Sequence, residues 1–368
     1  MSTVTTADPV LQGAGADPTA RRFYPQLDGL RAVAVFLVLG NHMGDLALPR
    51  VVRYLSSLGW IGVDAFFVLS GFLITKILLS TEPGFRGFGF FVLRRTLRTW
   101  PLYFAVLLVA FITLHGTATG SLFGWWQHVC FLQNYAPQFI ARSIGPTWSL
   151  CIEEHFYFVW PLFVFLLPRR ILFCVLPAAF ISLPLLRYWG LHHGFTLKQL
   201  YTETQFHLDG LVAGSMVALL LSSGVLRLRT SAWIGFGALT VGIVTSLAGF
   251  QHGWDVMAGS NIVFGYTSLA AAFAGLLLLL LQGQPPLLVK VLSLRPLLYI
   301  GRISYGIYLL DDGAISFLRR VPMHRALGAV ADSWIFIVVL RISVAICIAA
   351  LSYQFFESPI LRFKDRLR

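Results

Sequence analysis

Charged residues are scarce in this chain. Of its 368 residues, 57% are hydrophobic and only 12% are Lys, Arg, Asp or Glu, whereas soluble globular domains carry about 25% charged residues. The composition excludes an ordinary water-soluble fold and predicts a protein that lies in a lipid bilayer. The charge that is present is mostly basic, with a formal net charge of +12. No long run of Lys and Arg with interleaved aromatic residues stands outside the apolar segments, so we exclude nucleic acid as a partner and assign the basic residues to membrane-flanking loops.

Cysteine and metal-ligand patterns are also nearly absent. The four cysteines form no CxxC pair and lie in or beside apolar stretches, which indicates small hydrophobic side chains and not a disulfide framework; they are Cys130, Cys151, Cys174 and Cys347. The His and carboxylate residues show no HExxH or comparable spacing, so no metal is expected. The first 20 residues contain no apolar run. We therefore expect no signal peptide there and predict that residues 1–22 form a disordered cytoplasmic tail.

Apolar windows of about 20 residues, long enough to cross hydrocarbon, recur along the rest of the chain. They predict an all-α, polytopic membrane helix bundle with about ten transmembrane helices. The predicted spans are 29–46, 60–80, 100–116, 148–167, 171–189, 207–223, 231–250, 262–281, 297–318 and 334–356. Residues 23–362 are predicted to form one membrane domain, followed by a basic cytoplasmic end at 363–368.

The loops between these spans fix an expected orientation. An even number of crossings places both termini on one side of the membrane. The loops that share this side hold most of the Lys and Arg residues outside the spans, and such loops remain in the cytoplasm. Both termini are therefore predicted to be cytoplasmic.

Several ionisable residues lie inside the predicted spans or at their ends. A charged side chain at mid-membrane costs about 2.5–3.5 kcal/mol, so such residues usually face the bundle interior and mark a functional path. The alternative is an internal ion-pair network that serves only structure. The residues are Asp28, Arg31, His42, Asp64, Glu153, Glu154, Asp209, Asp311 and Asp312.

Helical rise places four of these residues at a similar depth. His42 lies about 22 Å from the cytoplasmic edge of the first span, and Glu153 about 9 Å below the outer edge of the fourth, in a hydrocarbon core about 30 Å thick. Asp64 and Asp311 fall at comparable depths. We predict an acid–base cluster in the outer third of the membrane, with His42 as the base and a carboxylate that orients it.

Two arrangements of charge lie nearer the cytoplasmic side. Asp28 and Arg31 are three residues apart, within reach of an i,i+3 ion pair, and Arg31 shares a helix face with His42. Arg95 and Arg98 also share a face, just before the third span. Forked guanidinium donors at a membrane edge suit phosphate groups, although neighbouring arginines also serve as simple membrane anchors.

Seven segments, taken in order, carry a family resemblance. They are YPQLDGLRAVAVFLVLGNH (24–42), GVDAFFVLSGFLIT (62–75), FVLRRTLRTWPLY (91–103), PTWSLCIEEHFYFVWP (146–161), FHLDGLVAGSMVA (206–218), GRISYGIYLL (301–310) and LSYQFFESPI (351–360). Singly such apolar strings are weak signals, but seven in order are specific. On them the chain resembles the acyltransferase 3 family of bacterial membrane acyltransferases, from residue 24 to about residue 362.

The resemblance implies O-acylation, usually acetylation, in the bacterial cytoplasmic membrane. Acyl-CoA would be the donor substrate, with no bound cofactor, and the acceptor a cell-envelope or exported polysaccharide, a glycolipid, or a secondary metabolite such as a macrolide. The family's essential histidine falls on His42, its WSLxxE glutamate on Glu153, and its CoA-binding arginines on Arg95 and Arg98. The supporting positions of the candidate site are Asp28, Arg31, Asp64, Glu154 and Asp311.

The chain departs from the family pattern in two places. Asp311 stands where many relatives have a histidine, and His207 where an arginine is frequent, so the acceptor site is expected to differ. The sequence ends soon after the FFESP element at 355–359, so no appended SGNH-type domain is expected.

Two questions stay open at the level of sequence. Direct transfer to the acceptor and a covalent acyl-histidine intermediate fit the same residues. A proton-coupled transporter or flippase would also use buried histidine and carboxylates, although no paired internal repeat of the kind common in transporters is visible.

Overall fold

The computed structural model describes residues 24–44, 46, 48–114, 124–136, 144–226, 232–249, 261–318 and 333–366, and every regular element within these ranges is helical. The predicted tail at 1–22 and the last two residues of the predicted basic end lie outside them. In chain order the α-helices are α1 (Pro25–Asn41), α2 (Arg50–Ser57), α3 (Ile61–Leu79), α4 (Phe85–Leu114), α5 (Trp125–Val129), α6 (Thr147–Leu166), α7 (Arg169–His192), α8 (Leu197–Thr202), α9 (Asp209–Ser222), α10 (Ala232–Gly249), α11 (Tyr266–Leu281), α12 (Pro286–Leu292), α13 (Arg295–Leu318), α14 (Trp334–Ser352) and α15 (Ser358–Arg366).

The long helices confirm the all-α prediction, and each of the ten predicted spans overlaps one of them. Six stretches of the described chain are long and apolar enough to cross a membrane: Arg50–Leu79, Phe85–Leu114, Thr147–Leu166, Arg169–His192, Ile262–Leu281 and Trp334–Phe363. The other predicted spans correspond to shorter helices, such as α9 and α10, or to helices rich in charge, such as α13. The chain has the build of a multi-pass membrane protein, and the number of ten crossings stays a prediction.

The four cysteines are free thiols in the described structure. This confirms that they do not form a disulfide framework. Cys151 is buried in α6, and the other three are exposed at the surface of the bundle.

Helices α1 and α13 pack at backbone distance because glycines face carbonyl groups across their interface. A Cβ atom added at Gly301 would lie 1.9 Å from the carbonyl oxygen of Asp28, so only glycine fits there. Close approach through small residues is the usual way in which helices associate in lipid. The packing holds the two helices along their length and brings the C-terminal end of α1, where His42 lies, to the second half of α13, where Asp311 lies.

This close packing gives a stability prediction with a control in the same helix. Gly301→Ala must push α1 and α13 apart, and we expect it to lower the free energy of unfolding by about 1–3 kcal/mol or more. Gly313→Ala adds a Cβ with no atom within 4 Å and is expected to stabilise helix α13 by about 0.5–1 kcal/mol. Thermal unfolding in detergent, followed by tryptophan fluorescence, measures both. Equal melting temperatures for the two variants would contradict the packing argument.

Helix α3 lies at the centre of the bundle and packs against α1, α6, α9 and α11. Its contact with α9 is again close, because a Cβ at Gly214 would lie 2.0 Å from the carbonyl oxygen of Val68. Apolar side chains of α3, α6 and α9, including Phe67 and Ile152, fill the space around it. Helices α1, α3, α4, α6 and α13 leave an internal space among them.

Candidate active site

A cavity of about 220 Å³ is lined by side chains of α1, α3, α4, α6 and α13. Four of these side chains are charged: Arg31, Arg95, Arg98 and Glu153. Three guanidinium groups against one carboxylate give the cavity a positive lining. Such a lining suits a ligand that carries phosphate or another anionic group.

Arg95 and Arg98 face the same side of α4, as their spacing of three residues predicts. Arg95 and Arg98 both line the cavity, and Arg94 is not among the lining residues. The guanidinium carbon of Arg95 lies 5.5 Å from the centre of the Tyr157 ring, a cation–π contact that fixes the direction of the side chain.

Arg31 also lines the cavity, and the predicted ion pair of Arg31 with Asp28 is wrong. In the described structure the side chains of Asp28 and Arg31 form no ion pair within 4 Å; Asp28 acts on Arg31 only at longer range, together with Glu153 and Arg98. Arg31 points into the cavity instead, because a charged group at this depth gains more from a polar cavity than from the packed interface of α1 with α13.

The two neighbouring glutamates of α6 have different surroundings. Glu153 lines the cavity and accepts a hydrogen bond from Ser70. Glu154 is buried and accepts hydrogen bonds from the Thr99 hydroxyl at 2.9 Å and the Trp100 indole N–H at 3.0 Å. Both donors follow Arg98 on α4, so Glu154 ties the arginine-bearing segment to α6.

His42 and Asp311 form a direct pair at the end of α1. Nδ1 of His42 lies 2.7 Å from Oδ2 of Asp311, and Oδ1 of Asp312 lies 3.7 Å from the same nitrogen. The Asp311 side chain is 4% exposed, whereas that of His42 is 19% exposed. A carboxylate that accepts a hydrogen bond from Nδ1–H fixes the tautomer and leaves Nε2 to take a proton. The imidazole is partly exposed, so a small molecule can reach it.

The predicted single cluster of acid and base residues is wrong in part. Asp311 does contact His42, but Glu153 belongs to the arginine-lined cavity and Asp64 to a third group. Helical rise predicts only the height of a residue in the membrane. The direction in which the side chain points depends on how each helix is rotated and packed, and this separates residues of equal depth.

The third group is a buried polar network around Asp64. Arg187 donates two hydrogen bonds to the carboxylate of Asp209, at 2.7 and 3.0 Å, and both side chains are fully buried. Nε2 of His207 lies 3.3 Å from Oδ1 of Asp64, while Nδ1 of His207 bonds the carbonyl of Tyr201. These pairs connect α3, α7 and α9. Asp64 therefore fits the alternative of an internal structural network and has no contact with His42.

Several residues of these sites were missed from sequence. Arg187 is a charge inside the predicted span 171–189 and could have been found by the same criterion as the others. Asp312 was recognised as ionisable but not assigned to the histidine. Ser149 and Tyr308 carry no charge, so only the fold places them in the cavity.

The contact between His42 and Asp311 is shorter than the spacing of ligands around a tetrahedral zinc ion. Ligand atoms of His42, Asp311 and Asp312 lie within 4.8 Å of one another. Ligands of a tetrahedral zinc ion, each about 2.0–2.1 Å from the metal, are roughly 3.3 Å apart. The 2.7 Å contact of His42 with Asp311 is shorter and is that of a hydrogen bond.

The chain is similar to known acyltransferases along most of its length. A family model described as an acyltransferase domain matches residues 24–352. The chain is 29% identical to the O-acetyltransferase OatA of Staphylococcus aureus over 369 aligned residues, covering 92% of this chain and 57% of the relative. It is 27% identical to the peptidoglycan O-acetyltransferase OatA of Listeria monocytogenes, covering 93% and 56%. The chain thus corresponds to little more than half the length of these relatives. No solved structure matches it.

The family match extends over nearly all of the described helices. It includes the end of α1 with His42, the arginine segment of α4 and the glutamates of α6, which are the elements that build the cavity and the histidine pair. The chain therefore belongs to the acyltransferase 3 family of enzymes.

Proposed function

We propose that the chain is a membrane-embedded O-acyltransferase that transfers an acyl group, most simply acetyl, from acyl-CoA to a hydroxyl of a cell-envelope glycan or glycolipid. The observation that carries the proposal is the hydrogen-bonded pair of His42 and Asp311, set in the same helices as an arginine-lined cavity. A base and an anion-binding cavity are the two parts that transfer from CoA to an alcohol requires.

The proposal includes the membrane topology predicted from the sequence. Ten helices cross the bacterial cytoplasmic membrane, with both termini in the cytoplasm. Arg95 and Arg98 then lie towards the cytoplasm, where acyl-CoA is made, and His42 lies towards the opposite surface, where envelope glycans are assembled. The lipid bilayer is thus a partner of the whole chain.

Arg31, Arg95 and Arg98 bind the phosphates of the donor, and no bound cofactor is required. Guanidinium groups hold phosphates through paired hydrogen bonds and a permanent charge. The cavity of about 220 Å³ is smaller than the roughly 300–1,000 Å³ of pockets that enclose whole drug-sized ligands. It therefore encloses only part of acyl-CoA, with the acyl end directed away from the arginines.

His42 acts as the general base. Nε2 takes the proton of the acceptor hydroxyl as the acceptor oxygen bonds to the thioester carbonyl carbon. The C–S bond then breaks, and the CoA sulfur leaves with the proton held by His42. Asp311 stabilises the imidazolium that forms between these events. An acyl-histidine intermediate uses the same groups in two steps. Glu153 balances the charge of the arginine group, in place of the role beside His42 that its depth suggested.

If Asp311 orients His42, substitution of Asp311 should lower kcat much more than substitution of the neighbouring Asp312. Asp311→Asn can donate to Nδ1 and reverse the tautomer of His42, so we expect kcat to fall by about a hundredfold to ten-thousandfold. The Asp312 carboxylate is 3.7 Å from Nδ1, and Asp312→Asn is expected to lower kcat by less than about tenfold. Steady-state release of CoA thiol measures both variants. If both lose activity equally, Asp311 does not have the orienting role.

The acceptor is proposed to be a glycan of the cell envelope. The Listeria relative is named a peptidoglycan O-acetyltransferase, which favours peptidoglycan as the first acceptor to test. Macrolide-type acceptors use the same acyl chemistry and form the second group to test.

Turnover by the purified chain in nanodiscs tests the proposal. Acetyl-CoA and a peptidoglycan oligosaccharide are supplied together, CoA thiol is measured by a chromogenic reagent, and the glycan by mass spectrometry. We expect release of CoA together with acetylated glycan. A folded protein that neither binds nor cleaves any of several acyl-CoAs would contradict the donor assignment and favour a transporter.

A further inference from the structure

The hydroxyl groups that line the cavity differ in whether their hydrogen bonds can be redirected. Most of them donate to a carboxylate or carbonyl oxygen of the protein. These bonds run from Ser70 to Glu153, from Thr99 to Glu154 and the Arg95 carbonyl, from Ser304 to the Gly301 carbonyl and from Tyr305 to the Thr99 carbonyl, while Tyr157 donates to the Ser70 hydroxyl at 3.4 Å. A ligand that recruited the proton of Ser70, Ser304 or Tyr305 would take the hydroxyl donor from a carboxylate or carbonyl oxygen.

Ser149 and Tyr308 are arranged differently. Their hydroxyl oxygens are 2.5 Å apart, and both reach the carbonyl oxygen of Pro146, at 3.0 Å from Ser149 and 3.1 Å from Tyr308. The two hydroxyl protons therefore serve two bonds, one between the hydroxyls and one to the Pro146 carbonyl. Because a hydroxyl hydrogen rotates to suit its surroundings, Ser149 can keep the bond to Pro146 while Tyr308 exchanges its bond to the Ser149 oxygen for one to a ligand.

Tyr308 also connects the cavity with the helix segment that carries the histidine. It lies one helical turn before Asp311 on α13, and its ring contacts that of Phe66 with centroids 6.2 Å apart. Phe66 and Tyr308 both line the cavity, and both pack against the apolar cluster that includes Leu39 and Met43 at the end of α1. The hydroxyl of Tyr308 is thus available at the part of the cavity wall that adjoins the segment holding His42.

We propose that the Ser149–Tyr308 hydroxyl pair binds the thioester carbonyl oxygen of the donor and stabilises the negative charge that develops there. This inference rests on the function proposed above. When the acceptor oxygen bonds to the carbonyl carbon, the electron pair of the C=O bond moves to the carbonyl oxygen, which accepts the hydrogen bond of Tyr308. The pair returns as the C–S bond breaks and CoA leaves with the proton from His42. Ser149 keeps its bond to Pro146 throughout, so this carbonyl keeps a donor, and Tyr308 exchanges its bond to the Ser149 oxygen for the bond to the thioester.

Removing the Tyr308 hydroxyl is expected to slow the chemical step and leave donor binding intact. A donor hydrogen bond aimed at developing charge is worth about a hundredfold to a thousandfold in kcat, and we expect this loss in Tyr308→Phe, with the donor KM unchanged. Tyr353 packs against the same apolar cluster but does not line the cavity, so Tyr353→Phe should retain the wild-type kcat. A Tyr308→Phe enzyme with wild-type kcat would overturn the inference.

A second variant and a spectroscopic measurement distinguish loss of the Tyr308 hydrogen bond from loss of folding. In Ser149→Ala the Tyr308 hydroxyl becomes the remaining partner of Pro146, so kcat should again fall. In a His42→Ala background, which keeps the donor unreacted, the infrared stretch of ¹³C-carbonyl acetyl-CoA should lie at lower frequency with Tyr308 than with Phe at this position. Identical frequencies would overturn the proposal. If wild-type protein does not cleave acyl-CoA, the proposed function fails; if it does and both variants match it, this inference alone fails.

Discussion

His42→Ala is expected to lower the rate of acyl transfer by at least about a hundredfold and up to about ten-thousandfold, the range set by loss of a general base. The alanine removes Nε2, which takes the acceptor proton, and leaves the Asp311 carboxylate without its 2.7 Å partner. Donor binding should change little, because the arginines of the cavity are on α4 and near the start of α1. The measurement is kcat and KM for acetyl-CoA at saturating acceptor.

The matched control for this variant is His193→Ala. His193 lies just after α7 and is exposed. Its imidazole hydrogen-bonds the Trp189 carbonyl and stacks on the Trp189 ring, so its loss should leave kcat unchanged. A His42→Ala enzyme with more than about a tenth of wild-type kcat would contradict the assignment of His42 as the base.

The double variant Arg95→Ala/Arg98→Ala is expected to weaken donor binding by about a hundredfold to ten-thousandfold. A hydrogen bond to a charged group contributes about 1.5–3 kcal/mol, and two such contacts are lost. Both side chains line the cavity. The histidine pair is formed by other helices, so kcat at saturating donor should fall much less than KM rises. Equilibrium binding of CoA to the protein in nanodiscs measures the first effect directly.

Arg169→Ala/Arg170→Ala is the corresponding control. These two arginines are exposed at the start of α7, so the variant removes the same charge without touching the cavity. If both double variants weaken CoA binding equally, the effect is one of overall charge and the cavity is not the phosphate site.

The helices could be predicted from sequence because their signal is local. Apolar windows of the right length gave a helix in each of the ten predicted places. The pairing of helices could not be predicted in this way. It depends on close contacts such as that of Gly301 with the Asp28 carbonyl, which a glycine in an apolar string does not reveal.

The site was predictable for charged residues and not for their partners. His42, Arg95 and Arg98 could be named from spacing and family resemblance, and Asp311 was the one predicted carboxylate that contacts the histidine. The prediction that Glu153 lies beside His42 was wrong, because depth in the membrane does not define the direction in which a side chain points from its helix. Tyr308 was missed because it carries no charge. Its position in an apolar segment has no large free-energy cost that would mark it in the sequence.

The most direct test of the central claim is transfer across a sealed bilayer. Proteoliposomes would hold a peptidoglycan oligosaccharide inside, with acetyl-labelled CoA, which does not cross membranes, supplied outside. The account predicts labelled oligosaccharide in the lumen with wild-type protein and none with His42→Ala. Equal labelling by the two proteins, or labelling only when donor and acceptor share one side of the membrane, would contradict it.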